Sequence, residues 1–269
     1  MTNKNFDWVD IATNVERICR EVGAFQLIHW NQVKSSDVEI KSANQLVSFV
    51  DQQSEQKLIE AFLQLIPEST IIGEESSPEN RKLDELTWVI DPLDGTTNFL
   101  HGLPVFSISV ALFYRNEPVV AVIHCPALKE TFSASVGAGA TLNGERITVA
   151  QNSQLADTLL ATGFPYYKFN QLNEYLELLK ECMQSTRGLR RMGSAAIDLA
   201  YVACGRFDAF FEMNLSPWDV AAGILLVREA GGKVTDFHGT DNVLFNNQIL
   251  ASSEVLHRDF SGMVSKYLH

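Results

Sequence analysis

The sequence predicts one layered α/β unit, and three observations carry that reading. Residues 105–149 are dense in β-branched and apolar residues broken by turn signals. From residue 158 onward, strand-like and helix-like segments alternate, as helices packed on sheets require. No linker rich in Pro, Gly or Ser and no internal repeat divides the 269 residues. The chain is therefore read as a single domain over 1–269, with an N-terminal half over about 1–150 and a C-terminal half over about 151–269.

Each element follows from spacing. Val9, Ile11, Ala12, Val15, Ile18, Cys19 and Val22 recur at helical intervals and predict a first amphipathic helix. A second follows Asp51, with Leu58, Ala61, Phe62 and Leu65 on one face, and stops before Pro67. Residues 69–72 read as a short strand entering Gly73-Glu74-Glu75-Ser76, and the polar run 77–85 as a solvated loop. Residues 88–90 form a buried strand with Asp91 at its C-terminal end, where ligands collect in α/β sheets. Residues 105–113, 118–124 and 131–135 are neighbouring strands, and Asn143-Gly144 is a tight-turn signal. Beyond them come a strand at 158–162, a helix at 172–183, and a strand at 189–192 running through Gly193-Ser194 into a helix that reaches Cys204. A strand at 208–213, a helix at 217–230 stopped by Gly231-Gly232, strands at 233–236 and 248–251 and a last helix complete the chain.

Composition narrows the function. A formal net charge of −12 and a pI near 4.9 argue against electrostatic binding of nucleic acid as the main role. Cys19, Cys125, Cys182 and Cys204 are scattered without a C-x-x-C pair, so they read as core residues of a reducing compartment, not as zinc ligands. The first residues lack an apolar signal core, and no stretch approaches the ~20 apolar residues of a membrane span. A cytoplasmic protein with no membrane partner is expected.

Four segments place an acidic or small polar residue where a strand meets a helix or loop. Glu74 follows a strand end and a glycine. Asp91 and Asp94 lie three residues apart and repel unless a cation or proton sits between them. The Leu93 carbonyl offers a third hard oxygen, and the Gly95-Thr96-Thr97-Asn98 turn can turn free N–H groups toward an anion. Oxygen-only ligation suits Mg²⁺. Ser216-Pro217-Trp218-Asp219 reads as a helix start in which Asp219 closes a capping box and faces a shared site. Arg190 or Arg191 offers a cation, Ser194 can cap the next helix, and Glu212 can accept hydrogen bonds from substrate hydroxyls. Each segment taken singly also has an ordinary use as turn, cap or solvated charge.

Together they resemble the inositol monophosphatase family. Gly73-Glu74-Glu75-Ser76, Asp91-Pro92-Leu93-Asp94-Gly95-Thr96-Thr97-Asn98-Phe99, Trp218-Asp219-Val220-Ala221-Ala222-Gly223 and Glu229-Ala230-Gly231-Gly232 carry the resemblance in order. Arg190 to Ala195, Asp198-Leu199-Ala200 and Thr162-Gly163-Phe164-Pro165 look like the bacterial branch. The resemblance implies an αβαβα sandwich, shared with fructose bisphosphatases, whose N-terminal half binds metal. It implies Glu74, Asp91 and the Leu93 carbonyl as ligands of one Mg²⁺, Asp91, Asp94 and Asp219 as ligands of a second, and a weaker third near Glu74. Gly95 and Thr96 would bind phosphate, Thr96 and Glu74 would orient the attacking water, and Arg190, Ser194, Ala195 and Glu212 would contact the sugar alcohol. A lysine of the family would fall at Lys41, but the loop before Asp51 is one residue shorter here, so Lys41 is left unassigned.

The implied activity is hydrolysis of myo-inositol monophosphate by direct attack of a metal-activated water, with lithium sensitivity and a homodimer. Fructose bisphosphate, a nucleotide 3′-phosphate, NADP or histidinol phosphate are alternative substrates of the same site, and a broad-specificity phosphatase is a further alternative. A regulatory protein-binding scaffold is the non-enzymatic alternative, and the complete acidic set argues against it. An aspartyl-phosphate mechanism expects D-x-D-G-T, whereas this chain has D-x-x-D-G-T, which aims the second acid differently.

Overall fold

Asp7 starts the first helix. Its carboxylate accepts from the N–H groups of Val9 and Asp10, both at 3.1 Å, and α1 (Trp8–His29) follows. The helix runs past Val22 because Gln26 is also buried on its inner face. The computed structural model describes residues 6–32, 38–42, 45–76, 82–164 and 169–268. Strands β1 (Val38–Ser42) and β2 (Gln45–Ser48) form an antiparallel hairpin that the sequence reading did not anticipate. Their short connection carries no Asn-Gly or Gly-Gly pair to signal it. The Lys41 side chain and most of the polar run, residues 77–81, lie outside the described residues. Helix α2 (Phe49–Leu65) begins two residues before Asp51, because Ser48 and Asp51 close a capping box.

Seven strands then build the first sheet, in chain order: β3 (Thr70–Gly73), β4 (Leu86–Asp94), β5 (Ser107–Tyr114), β6 (Glu117–Cys125), β7 (Glu130–Ser135), β8 (Gly139–Leu142) and β9 (Glu145–Ile147). Only β3 and β4 are parallel; the other neighbours are antiparallel. The short helix α3 (Thr96–Leu100) separates β4 from β5. Asn143 and Gly144 turn β8 into β9 with φ of 51° and 85°, as their sequence suggests.

The rest of the chain follows as β10 (Leu159–Thr162), α4 (Leu172–Ser185), β11 (Gly188–Arg190), α5 (Ala195–Ala203), β12 (Ala209–Met213), α6 (Pro217–Glu229), β13 (Gly232–Thr235), β14 (Gln248–Ser253) and α7 (Glu254–Ser265). Its five strands lie in the order β11-β10-β12-β14-β13. Strand β10 is parallel to both β11 and β12, and β14 is antiparallel to both β12 and β13.

Burial assigns the layers. Helices α1 and α2 cover the outer face of the seven-stranded sheet, where Val15, Ile18 and Phe62 meet Trp88, Val110 and Val122. Phe62 and Trp88 stack with centroids 4.4 Å apart. Such a pair adds about 0.5–1.5 kcal/mol beyond its buried area. Helices α5 and α6 are buried almost all round, so they form a middle layer packed between the sheets. Helices α4 and α7 close the outer face of the second sheet around Tyr175, Phe211 and Phe260. The architecture is thus the αβαβα sandwich. A side chain at Gly223 of α6 would overlap Cβ, Cγ and Cδ1 of Leu199, so this glycine sets how closely α5 and α6 approach. Cys19, Cys125, Cys182 and Cys204 are free thiols, the first three buried.

Candidate active site

The site begins with an irregularity in β4. Asp91 pairs with Ser109 and Asp94 with Ser107, so three steps on β4 oppose two on β5. Pro92, without an N–H to give to the ladder, lies in this bulge. Gln26 of α1 braces it, its Nε2 donating to the Pro92 carbonyl at 2.7 Å. The Leu93 side chain is buried beside Val50, Phe99 and Phe106. The Leu93 N–H donates to Asp91 Oδ1 at 2.9 Å, and its carbonyl accepts from Thr96 Oγ1 at 3.0 Å. Gly95 then takes φ +92° and ends the strand at the start of α3, with the N–H groups of the first turn beyond the reach of intrahelical carbonyls.

The other acids arrive from the second half and from β3. Asp94 Oδ2 accepts from Ser194 Oγ at 2.6 Å and from the Ala196 N–H at 2.8 Å, so it rests on the N-terminus of α5. Ser194 is the N-cap of that helix. Asp219 occupies the third position of α6, its carboxylate accepting from the Ser216 N–H at 2.7 Å with Pro217 at the first helical turn. Glu74 follows β3, its N–H donating to Ile90 O at 3.2 Å, which sets it beside the end of β4.

Electrostatics join the four. Burial raises the Asp91 pKa well above the usual carboxylate value, and the charges of Glu74, Asp94 and Asp219 raise it further. Asp219 is pushed up to about 8 by burial, then by Asp94 and Glu212, and its carboxyl lies within hydrogen-bonding reach of Asp91. Asp94 rises only to about 6, because Ser194, the Ala196 N–H and Arg191 offset burial. Four acids from three distant segments therefore share one field. Among the described residues no three of these side chains already stand as a finished ligand cluster. The donor set is oxygen throughout and needs positive charge, so it fits a hard divalent cation by its chemistry.

A pocket of about 130 Å³ opens next to these acids, lined by Asp94, Ser194, Ala195, Glu212 and Asp219 together with Gly163, Arg191, Gly193 and Leu215. Glu212 is no edge carboxylate: β12 is the middle strand of its sheet, and burial pushes the group up to about 8 against the pull of Arg191. Arg190 stands apart. It is exposed, donates to its neighbour's carbonyl, Leu189 O, at 3.1 Å, and does not line the pocket. Arg191, after the strand end, lies over the Phe164 ring at 5.3 Å and takes the pocket position.

A model of the inositol monophosphatase family matches residues 9–268. The chain belongs to the inositol monophosphatase family. Among similar proteins of this family, a putative Nus factor SuhB of Neisseria meningitidis serogroup B is 42% identical over 88% of this chain and 91% of its own length. An inositol-1-monophosphatase of Mesorhizobium japonicum is 39% identical, covering 89% and 90%. The crystal structure of the extragenic suppressor protein suhB of Bartonella henselae superposes with a TM-score of 0.90 at 36% identity, covering 96% of this chain and all of that one.

Beside these acids, sequence reasoning missed two carboxylates on α2. Asp51 is buried, its Oδ2 accepting from Ser48 N–H and Oγ and its Oδ1 from Thr96 Oγ1 at 3.0 Å. Glu55 is buried one turn on, its Oε2 accepting from the Glu75 N–H at 2.9 Å beside Gly73. Two acids at i and i+4 on the face that carries Leu58 were the available signal. Asp198, on the buried face of α5, was likewise passed over. Burial raises its pKa well above the usual value, then Glu212 and Asp94 raise it further, and its Oδ1 has no partner among the described residues.

Proposed function

We propose that this chain is a magnesium-dependent phosphomonoesterase that hydrolyses myo-inositol monophosphate to inositol and phosphate. The observation that carries the reading is Asp91, buried and surrounded by the fields of Glu74, Asp94 and Asp219 at the start of a glycine turn. The family match and a relative named inositol-1-monophosphatase support it. Glu74, Asp91, Asp94, Asp219 and the Leu93 carbonyl would hold two or three Mg²⁺, which neutralise phosphate charge and lower the pKa of water when bound.

The protein's own groups supply the rest. Thr96 has one hydroxyl proton and two acceptors for it, Asp51 Oδ1 and Leu93 O, each at 3.0 Å. That leaves its lone pairs to accept from a water, which Thr96 and Glu74 together orient toward phosphorus. The N–H groups of Gly95 and Thr96 face the phosphate. The water oxygen bonds phosphorus as the P–O ester bond breaks; one of the water's two protons ends on the departing alkoxide and the other on the phosphate. No phosphorylated side chain is needed. Glu212, Ser194 and the Ala195 wall border the polyol, and the Glu212 carboxyl, whose pKa burial raises, accepts from its hydroxyls. Of Arg190 and Arg191, the two cations the residues offer, Arg191 supplies the one nearby, although the resemblance implies Arg190. Lithium inhibition and a homodimer belong to the same proposal.

Phosphate release is to be compared for myo-inositol 1-phosphate, fructose bisphosphate, a nucleotide 3′-phosphate, NADP and histidinol phosphate, with Mg²⁺ and then with added Li⁺. The inositol ester is expected to have the highest kcat/KM. A higher value on another ester would move the substrate while keeping the chemistry.

The name Nus factor, carried by several relatives, favours a second role as a factor acting with other macromolecules. Such a role would survive Asp94→Asn, whereas hydrolysis would not.

A further inference from the structure

A cavity of about 920 Å³ opens near the C-terminal end of α6, away from the acids described above. Asp219 and Arg228 lie on the same helix, nine residues apart, about 13.5 Å along its axis at the α-helical rise. Phe113, Ile224 and Val243, all buried, give the cavity an apolar floor, and Phe245 stands exposed at its rim. Two half-buried cations, Arg228 and Lys233, line the wall, with an exposed Lys82 beyond them.

Those cations form no ion pairs among the described residues. Among the described residues neither Arg228, Lys233 nor Lys82 takes a salt-bridge partner within 4.0 Å, although the chain carries a net charge of −12. Arg228 sits in the last turn of α6, where it complements the helix dipole. Lys233 is on β13 and has no such role. A half-buried cation without a partner gains from an anion brought to it out of water. Glu117 and Asp241 also line the cavity, but both are exposed and disfavour highly charged polyanions.

We propose that this cavity binds a small amphiphilic anion, an aromatic or aliphatic body bearing one carboxylate, sulfonate or phosphate. The floor takes the body while Arg228 and Lys233 take the anionic group. An inorganic anion would leave the floor unused, and a neutral hydrocarbon would leave both cations unpaired. The volume falls within the roughly 300–1,000 Å³ of ordinary small-molecule pockets. The inference stands whether or not the chain hydrolyses phosphate esters.

The test is fluorescence titration of the full chain with anilinonaphthalene sulfonate, without metal or phosphate ester. Saturable binding at one site is expected. Arg228→Glu combined with Lys233→Glu should weaken it by at least about tenfold, and Lys233→Gln alone by about threefold. Lys180→Glu, a charge reversal on the exposed face of α4, should leave it unaltered. 4-Phenylbutyrate should displace the probe, while inorganic phosphate at the same concentration should not. Absence of saturable binding, an unchanged affinity in Lys233→Gln, an equal loss in Lys180→Glu, or displacement by phosphate alone would overturn the proposal. Should the double variant fail to fold, Lys233→Gln decides.

Discussion

At Asp94 the two halves of the chain meet through one carboxylate oxygen, which takes the Ser194 hydroxyl and the Ala196 N–H. That support holds its pKa near 6, while Asp219 and Glu212, less supported, reach about 8. An acid whose pKa rises on folding stabilises the folded chain below its unfolded value and loses that contribution as pH climbs through the folded one. His124 and His257, lowered to about 4, act in the opposite sense, but only below about pH 6.5. Between about pH 6.5 and 8 the acids therefore dominate, and the metal-free protein should lose stability as pH rises. Urea unfolding in chelator checks this, and Glu212→Gln should flatten the slope. A stability that rises across that window would refute the assignment. The arginines give a second residue-scale prediction. Arg191→Met should raise KM for the phosphate ester about tenfold, the worth of one charged hydrogen bond, while Arg190→Met leaves it unchanged.

The elements that carry these side chains are held by packing at a few points. Gly223 lets α6 approach Leu199 of α5, whose Cβ cannot be moved aside by a rotamer change. Gly223→Ala should cost about 1–3 kcal/mol by overpacking and displace Asp219 at the other end of the same helix. Denaturant titration should show the loss, and adding Leu199→Ala should recover part of it, a coupling that unrelated sites would lack. Elements of this kind were legible where periodicity or caps were strong. Ser216-Pro217-x-Asp219 and Asn143-Gly144 adopt the local structures their chemistry suggests. The β1–β2 hairpin was not legible, because four- and five-residue strands without a turn signature look like loop. Nor could spacing choose between Arg190 and Arg191. The choice depends on where β11 ends, and a one-residue shift at a strand end turns the side chain to the other face. Asp51 and Glu55 were hidden because carboxylates on a helix are usually solvated, and only tertiary packing buries these.

Across the whole molecule, the layered sandwich gathers these acids at the N-terminal ends of α5 and α6 and the bulged end of β4. Sequence motifs pointed to these acids because strand ends and helix starts are where local structure leaves polar groups free. No helix among the described residues is long and apolar enough to cross a membrane. The account turns on acids from distant segments working as one cation site. The direct measurement is the rate of phosphate release from myo-inositol 1-phosphate with saturating Mg²⁺ in the parent and in Asp219→Asn. Removing one ligand carboxylate should lower kcat/KM by at least about a hundredfold, the scale of a lost electrostatic contribution to the transition state, with the fold intact by circular dichroism. Equal rates in the two proteins would contradict it.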